Sequence, residues 1–457
     1  MTPALSNPLD PLPSGLDELH SELARYFLET AHPDRPQLLG LEFECLRVAR
    51  QGLAAAPSTG SRGPDELVLA LGRELGDIEE RVDGGVLSAV HVGPTNLSLE
   101  PGGQIEVSLP PVRTPLQAQE ALGSFIGRLE ARLAGSPFRA LYLGHQPCTM
   151  PEEIALRAKP RYRIMDRRLR QSGDLGIHMM RATAGMQVTL DYRDAEDCAT
   201  LMRAALLMAP FVTALFANSP LVGGVDSGCL SFRGRVWWRT DPSRCGAPAA
   251  LVGPNPSLRD YVDFALAAEL WFVERGGELV EVPGRRSFRE VWGEGDPVLT
   301  LADFHLHSTT LFPEVRLRGG VEVRTADCVP PQYAASFLAL NAACLYDREA
   351  RETVAELHPY RSAEALAELH DVASREGLEG SLRDGFRIGD ACERMLAAAG
   401  AGLERLLAAG AYPGECRELL DPLKDLCARR TSFAAESLDR ISGRSRACGP
   451  GTRDARP

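Results

Sequence analysis

Three short segments place acidic residues in a pattern typical of β-strands. In residues 40–44, Glu42 and Glu44 alternate with apolar residues. Successive side chains of a strand point to opposite faces, so both carboxylates are expected on one face. Like charges on one face repel each other unless a cation lies between them. The pattern therefore predicts a strand whose acidic face belongs to a binding site.

The other two segments add further carboxylates. A Pro-Gly-Gly turn separates Glu100 from Glu106, and a third strand-like segment carries Glu322 and Arg324 on one face. Because the turn interrupts the alternation, spacing does not decide whether Glu100 and Glu106 share a face. Carboxylate oxygens suit Mg²⁺ or Mn²⁺, and magnesium held in this way usually also contacts substrate phosphates. These segments predict a nucleotide-dependent enzyme.

The overall composition limits how a nucleotide can be held. The chain has 457 residues, of which 44% are hydrophobic and 25% charged, as in a soluble globular protein. Its formal net charge of -12 argues against a general nucleic-acid binder. Lys159 and Lys424 are the only lysines and neither follows a glycine, which excludes a phosphate-binding P-loop. Arginines, metal and backbone must then hold the phosphates.

Cysteines and apolar stretches predict a cytoplasmic protein without a membrane span. The 11 cysteines include no Cys-x-x-Cys pair, and the N-terminus has no signal-peptide pattern, so we expect reduced thiols and a cytoplasmic location. Residues 204–217 form the longest mainly apolar stretch. It is interrupted by Pro210 and too short to cross a bilayer, so we expect a buried helix.

Hydrophobic periodicity predicts an α+β fold with a mostly antiparallel sheet and flanking helices. Helices are predicted at 16–32, 64–72, 115–133 and 195–216, and strands at 38–48, 97–109 (two strands and a turn), 186–191 and 230–240. We expect a loose N-terminal segment at 1–15, one catalytic domain at 16–445 with a strand-rich core (38–330) and a helical part (331–442), and a flexible tail at 446–457.

Several of these segments, taken together and in order, carry a family resemblance. They are residues 40–44, 99–108, 160–165, 175–180, 186–191, 216–220, 233–237 with 241–242, and 307–317 with 322–324. In this order they resemble the plant and proteobacterial type of glutamate–cysteine ligase, which is related in fold to glutamine synthetase. The resemblance extends from about residue 38 to residue 347.

The resemblance implies an ATP-dependent ligation. ATP would phosphorylate the side-chain carboxylate of L-glutamate, and the amine of L-cysteine would displace phosphate to give γ-glutamylcysteine for low-molecular-weight thiol synthesis. The implied cofactors are ATP and Mg²⁺, with Mn²⁺ as a substitute. The implied partners are these small molecules, with no nucleic acid and no membrane, in a monomer or homodimer.

The resemblance also implies roles for individual residues. Arg324 would be catalytic and contact the nucleotide, Arg316 would be a second phosphate contact, and Gln187 would face the nucleotide or metal. Metal ligands would be Glu42, Glu44, Glu100, Glu106 and Glu322; substrate contacts would be Arg233, Trp237 and Gln104.

Some positions depart from the family pattern. Relatives often have tyrosine in place of Arg168, asparagine in place of Thr189, and bulkier residues at Gly319 and Gly320. A γ-glutamyl ligase for another amine is therefore an alternative, as is a catalytically silent nucleotide-binding homologue. A guanidino-phosphotransferase is a weaker third.

Simpler structural roles also compete with the predicted ones. Glu322 and Arg324 would form a salt bridge equally well on one strand face, and Glu100 would serve as a turn residue. His305 and His307, on a predicted strand or turn, are expected to be capping or core histidines rather than a metal pair.

Overall fold

The computed structural model describes residues 7–33 and 37–442. Fifteen strands lie within these residues. They are β1 (Leu39–Ala49), β2 (Glu79–Asp83), β3 (Val86–Val92), β4 (Thr95–Leu99), β5 (Ile105–Ser108), β6 (Phe138–Leu141), β7 (Gly185–Leu190), β8 (Leu221–Val222), β9 (Val225–Asp226), β10 (Cys245–Gly246), β11 (Phe272–Arg275), β12 (Glu278–Glu281), β13 (Phe312–Pro313), β14 (Val315–Leu317) and β15 (Val321–Asp327).

Helices surround these strands and fill the last quarter of the described chain. They are α1 (Leu16–Leu28), α2 (Asp65–Leu75), α3 (Pro115–Leu133), α4 (Pro160–Ser172), α5 (Gly176–Ala182), α6 (Ala195–Leu215), α7 (Phe232–Trp238), α8 (Ala249–Val252), α9 (Leu258–Ala267), α10 (Phe288–Glu294), α11 (Leu301–Ser308), α12 (Ala334–Leu345), α13 (Arg348–Val354), α14 (Ala363–Glu376), α15 (Ile388–Ala408), α16 (Asp421–Ala428) and α17 (Phe433–Ser442).

One nine-stranded sheet organises the chain. Its strand order is β14-β15-β7-β1-β5-β4-β3-β2, and β6 pairs with the other end of β1. Every pair in this sheet is antiparallel. The predicted α+β class with a mostly antiparallel sheet is confirmed.

The apolar face of the sheet forms part of the main core. Leu41 and Phe43 on β1 are buried, as are Val188 on β7 and Val323 on β15. Helix α6 packs against β15 and is almost entirely buried. By length and composition α6 could span a membrane, but 89% of its most apolar window lies inside the protein. The expected buried helix is confirmed, and Pro210 lies within it.

Two local predictions are wrong. Residues 230–240 form helix α7 instead of a strand, with the Ser231 hydroxyl accepting from the Gly234 N–H at 3.0 Å as an N-cap. The alternating arginines and tryptophans suggested a strand, but Arg233 and Trp237 also share a helix face at i and i+4. Residues 301–308 form helix α11, so His305 and His307 do not lie on a strand or turn.

The chain ends differ from expectation where they are described. Residues 8–13 are attached, because Ala302 N–H donates to Pro8 O (2.9 Å) and Leu12 N–H to Leu299 O (2.9 Å). The predicted loose segment is therefore wrong for this part, while residues 1–6 lie outside the described residues. The predicted tail at 446–457 also lies outside them, and helix α1 ends at Leu28, before the predicted end at 32.

Candidate active site

Three rows of polar residues cross the face of the sheet opposite the apolar core. In the first row, Glu322 on β15 lies opposite both Arg316 on β14 and Thr189 on β7, and Thr189 lies opposite Gly40 on β1. Strand register thus brings residues from four strands onto one face, although they lie far apart in sequence.

The other two rows contain the remaining strand carboxylates. Glu42 lies opposite Gln187, and Glu44 lies opposite Glu106 on β5. Glu106 therefore shares the face of Glu42 and Glu44, which spacing alone did not decide. The three glutamates are recessed in the protein but not fully closed off from solvent.

Glu44 and Glu106 have polar contacts that orient their side chains. Glu44 accepts from the Gly185 N–H at 2.6 Å and from Gln187 Nε2 at 3.0 Å. Glu106 accepts from the Ser98 hydroxyl at 2.6 Å. These contacts hold the carboxylates in place, but none of them supplies a positive charge.

The surroundings of these carboxylates raise their pKa values. Burial, followed by the charges of Glu106 and Glu322, raises the pKa of Glu42 to about 8. Burial, followed by Glu100 and Glu44, raises the pKa of Glu106 to about 8. Burial also raises the pKa of Glu44 to about 7, against the opposing effect of Arg233. Burial is therefore the main reason that these three carboxyl groups resist ionisation, and the neighbouring carboxylates add to its effect.

Glu322 differs because two arginines contact it directly. Arg316 donates from Nε (2.7 Å) and Nη2 (3.0 Å) in a bidentate pair, and Arg324 donates through Nη1. Burial alone would raise the pKa of Glu322, but these two charges lower it to about 2. The Glu322–Arg324 salt bridge that the sequence suggested as a structural alternative is present.

All three nitrogen atoms of the Arg316 guanidinium group already donate hydrogen bonds, since Nη1 donates to Leu311 O at 3.3 Å.

Arg233, Trp237 and Arg324 form a second, basic group beside the carboxylates. The guanidinium carbons of Arg233 and Arg324 lie 5.5 Å and 5.2 Å from the centre of the Trp237 ring. Arg233 Nη2 donates to the backbone oxygen of Arg324 at 3.1 Å. Within the described residues, Arg233 Nη1 and Arg324 Nη2 have no hydrogen-bond partner. Two free guanidinium donors around one aromatic ring suit a carboxylate or phosphate ligand.

A buried aspartate fixes the helix that carries Arg233 and Trp237. Asp327 accepts from the Ser219 hydroxyl at 2.7 Å and from the Ser231 hydroxyl at 2.9 Å. Ser231 is the N-cap of α7, so the contact sets where this helix begins. No motif in the sequence marks Asp327, and only its buried contacts with Ser219 and Ser231 reveal its role.

Gln104 serves the architecture of the turn. Its Oε1 accepts from the Gly102 N–H (2.9 Å), and its Nε2 donates to Thr183 O (2.9 Å). Both functional groups are occupied by backbone and the residue is buried. A substrate contact by Gln104 stays a prediction, and it would require this amide to exchange one of its backbone partners.

The turn that carries Glu100 approaches helix α5 closely. The Gly103 N–H donates to Glu100 O at 2.8 Å, so Glu100 is a turn residue as well as an acidic one. A Cβ at Gly102 would lie 2.8 Å from the carbonyl carbon of Arg181 and would overlap its oxygen. Only glycine permits this approach.

Arg168 and Thr189, two of the departures from the family pattern, lie in different places. Arg168 is buried, pairs with Glu269 (2.8 Å) and Glu281 (3.0 Å), and also donates to backbone carbonyls. It therefore gives no support for a different acceptor. Thr189, in contrast, lies on the acidic face, and its Cγ2 would be 2.5 Å from a Cβ at Gly320.

The histidines have the structural roles expected. The buried His307 ring donates from Nε2 to Ala265 O at 2.8 Å, while His305 contacts the Tyr26 hydroxyl at 2.7 Å. Cys45 is buried, as are the aromatic side chains of Phe211 and Phe216.

The carboxylates fit a hard divalent cation by their chemistry. Within residues 7–33 and 37–442, no three His, Cys, Asp or Glu side chains are close enough to form a ready-made metal site. The donor set nevertheless consists of recessed carboxyl groups, and burial together with the charge of neighbouring carboxylates raises their pKa values. A cation with oxygen preference, such as Mg²⁺, would offset that charge.

The sequence is similar to plant glutamate–cysteine ligases. The chloroplastic glutamate–cysteine ligase of Brassica juncea is 33% identical over 332 residues, covering 72% of this chain and 64% of the plant protein. The Arabidopsis thaliana enzyme of the same name is 32% identical over 332 residues, covering 72% and 63%. The chain thus matches slightly less than two thirds of the length of these relatives.

A solved structure shares the fold at low sequence identity. The glutamate–cysteine ligase of Francisella tularensis, crystallised in complex with AMP, has a TM-score of 0.52 and 13% identity, covering 92% of this chain and 91% of its own. Residues 38–447 match glutamate-cysteine ligase family 2. This match covers most of the sequence, and the chain therefore belongs to glutamate-cysteine ligase family 2.

Proposed function

We propose that the protein joins the γ-carboxylate of L-glutamate to the amine of L-cysteine at the expense of ATP. The product would be γ-glutamylcysteine, with ADP and phosphate released. Support comes from the family and from the names of the relatives. The AMP in the Francisella tularensis structure supports an adenine nucleotide as the energy source.

The observation that carries the proposal is an acidic group on one sheet face with a basic group beside it, formed by Arg324 of β15 and by Arg233 and Trp237 of α7. Glu42, Glu44 and Glu106 supply recessed carboxyl groups that a cation would ionise, whereas Arg233 and Arg324 offer free donors. A reaction in which a carboxylate approaches a phosphoryl group needs both, because two anions must meet. We propose that Glu42, Glu44, Glu106 and Glu322, with Glu100 at the edge, hold Mg²⁺, which would neutralise phosphate charge when bound.

The reaction would have two steps, and the chain's own residues would orient the substrates in each of them. A γ-carboxylate oxygen of glutamate bonds to the γ-phosphorus of ATP as the bond to ADP breaks. The amine nitrogen then bonds to the acyl carbon, the bond from that carbon to the phosphate-bearing oxygen breaks, and the amine loses a proton. Arg324 would neutralise charge on the transferred phosphoryl group, and Arg233 would bind a carboxylate of the substrate glutamate. Trp237 would hold both guanidinium groups in position.

The test is a product assay. Purified protein, MgATP and glutamate are incubated with a panel of amino acids, and γ-glutamyl products are identified by mass while phosphate is measured. We expect a γ-glutamylcysteine product and phosphate release that requires both amino acids and a divalent cation. Nucleotide binding without turnover at saturating amino acids would instead indicate the silent homologue.

A different amine acceptor is the second candidate, favoured by Thr189. This residue lies between Glu322 and Gly40 on the acidic face, where it would influence the space open to an acceptor. Faster ADP formation with another amine than with cysteine in the same panel would establish it. A cytoplasmic location and a monomeric or homodimeric state also remain proposals, to be tested by cell fractionation and light scattering.

A further inference from the structure

A buried histidine of the helical part, His370 on α14, packs against the helix that carries half of the basic group. Its ring lies at a tilt on the ring of Trp238, with ring centres 5.1 Å apart and an angle of 38° between the planes. Trp238 is the last residue of α7, the helix of Arg233 and Trp237. His370 therefore holds the end of this helix.

Ser374, one turn further along α14, contacts the beginning of α7. Its backbone oxygen accepts from the N–H of Ser231, the N-cap residue, at 2.9 Å. A Cβ at Gly234 would lie 2.7 Å from the Ser374 hydroxyl oxygen, so the two helices approach each other closely. The same hydroxyl lies 3.4 Å from His370 Nδ1. His370 and Ser374 thus contact α7 at both of its ends.

The Nε2 edge of the His370 ring connects to strand β15. The Thr213 hydroxyl on α6 donates to Thr325 O at 3.3 Å. A hydroxyl has one proton to donate, so the Thr213 oxygen accepts from His370 Nε2, which lies 3.1 Å away. Thr325 directly follows Arg324 in β15. A chain of two hydrogen bonds therefore joins His370 to the strand of the second basic residue.

Glu314 lies at the same edge of the ring. Its Oε1 is 3.5 Å from His370 Nε2, and its buried Oε2 has no hydrogen-bond partner within the described residues. Among those residues, His370 supplies the only basic group within ion-pair distance of this carboxylate. The backbone oxygen of Glu314 accepts from the Arg324 N–H at 3.1 Å. His370 thus lies between the element that carries Arg233 and the one that carries Arg324.

We propose that His370 is a positioning residue for the binding of glutamate, and that it acts through α7. The proposal rests on the proposed function, because it assumes that Arg233 binds a carboxylate of glutamate. Strand β15 is hydrogen-bonded to a neighbouring strand on each side, whereas α7 has only seven residues and packs on α14. Loss of the His370 contacts would therefore displace Arg233 relative to Arg324 and leave β15 in place.

The experiment compares His370→Leu and His370→Gln with His358→Leu. Leucine removes both ring nitrogens, whereas the side-chain amide nitrogen of glutamine can replace Nε2 as a donor. His358 is the matched control, because it is also buried in the helical part and donates from Nε2 to Leu207 O at 3.1 Å. Its ring packs against Phe211 and Tyr360 rather than against α7.

Steady-state kinetics and thermal unfolding are measured for each variant. We expect His370→Leu to raise the KM for glutamate about tenfold, with kcat and the KM for MgATP changed less than about twofold. His370→Gln should keep the KM for glutamate within about threefold of the wild-type value, because one hydrogen bond is retained. His358→Leu should lower the Tm as His370→Leu does, but with the wild-type KM for glutamate.

The outcomes separate this proposal from the one on which it rests. An unchanged KM for glutamate in folded His370→Leu would overturn the positioning role alone. Equal rises in His370→Leu and His358→Leu would also overturn it, since they would indicate a general loss of packing. A wild type that forms no γ-glutamyl product would overturn the proposed function as well. If His370→Leu folds poorly, Trp238→Leu removes the ring contact from the half-buried partner, and an unchanged KM for glutamate there would overturn the role.

Discussion

Adding Mg²⁺ to the metal-free protein near neutral pH is expected to release protons. Burial and neighbouring carboxylates raise the pKa of Glu42 and Glu106 to about 8, and burial raises that of Glu44 to about 7. A metal ligand must be ionised, so a cation bound by these groups would displace the protons they carry.

The number of protons follows from these pKa values. At pH 7 a carboxyl group with a pKa of about 8 is about nine-tenths protonated, and one with a pKa of about 7 is about half protonated. Glu42, Glu106 and Glu44 together therefore carry about two protons, which magnesium would release on binding. Near pH 9 the release should fall to well below one proton, because all three groups are then largely ionised without metal.

Isothermal titration calorimetry measures this release directly. Magnesium is titrated in two buffers of different ionisation enthalpy, and the dependence of the observed heat on that enthalpy gives the proton count. We expect Glu42→Gln to release about one proton fewer than the wild type. Glu80→Gln, on the exposed edge strand β2, should behave as the wild type. Magnesium binding with less than half a proton released at pH 7 would refute the reasoning.

The same linkage sets the pH dependence of stability without metal. The folded-state pKa values of Glu42, Glu44 and Glu106 lie above the ordinary value of 4.5. Between pH 4.5 and these raised values, the unfolded chain therefore binds fewer protons than the folded protein does. Their effect favours the folded state most below about pH 4.5, and this advantage is lost as pH rises through about 7 to 8. Thermal unfolding with and without saturating Mg²⁺ should show a metal stabilisation that increases over that range.

Three substitutions test the rest of the site. Glu322→Gln should abolish phosphate release, because metal charge compensation weakens and two buried arginines lose their carboxylate; near-normal turnover would remove Glu322 from the site. Arg324→Ala should lower kcat about 10²–10³-fold with a smaller effect on MgATP affinity, and an unchanged single-turnover rate would argue against it. Gly102→Ala should destabilise the fold by about 1–3 kcal/mol in urea unfolding, since its Cβ would overlap the Arg181 carbonyl. It should also lower kcat/KM by about 10²-fold through displacement of the turn. The matched Gly127→Ala, on the open face of α3, should stabilise by about 0.5–1 kcal/mol; equal effects of the two changes would contradict the steric argument.

Alternation within strands was enough to predict much of the acidic face. Glu42 and Glu44 lie on one face because the period of a strand is two, and Gln187 shares that face for the same reason. The antiparallel character of the sheet followed from the order of strands and turns. That Glu106 lies on the same face as Glu44 depends on the register between β1 and β5. The turn before β5 interrupts the alternation, so this register could not be predicted from spacing.

Other features depended on tertiary contacts that local patterns do not contain. The segment carrying Arg233 and Trp237 has both strand-like alternation and helical spacing. The Ser231 N-cap stabilises the start of a helix, and the segment is helical in the structure. Gln104 looked like a site residue because it adjoins Glu106 in a motif, but its amide closes a turn. Hairpin β2–β3 was missed because its outer strand is charged and exposed.

The side-chain amide of Gln187 connects the acidic group with the basic group, because it donates one hydrogen bond and accepts another. Its nitrogen donates to Glu44 at 3.0 Å, and its oxygen accepts from Arg324. No other side chain of this length has a donor and an acceptor on one planar group while remaining neutral. A glutamate here would repel Glu44, and a methionine would remove one hydrogen bond from each of Glu44 and Arg324. An attempt to redesign this face would therefore have to keep position 187 or replace all three residues at once.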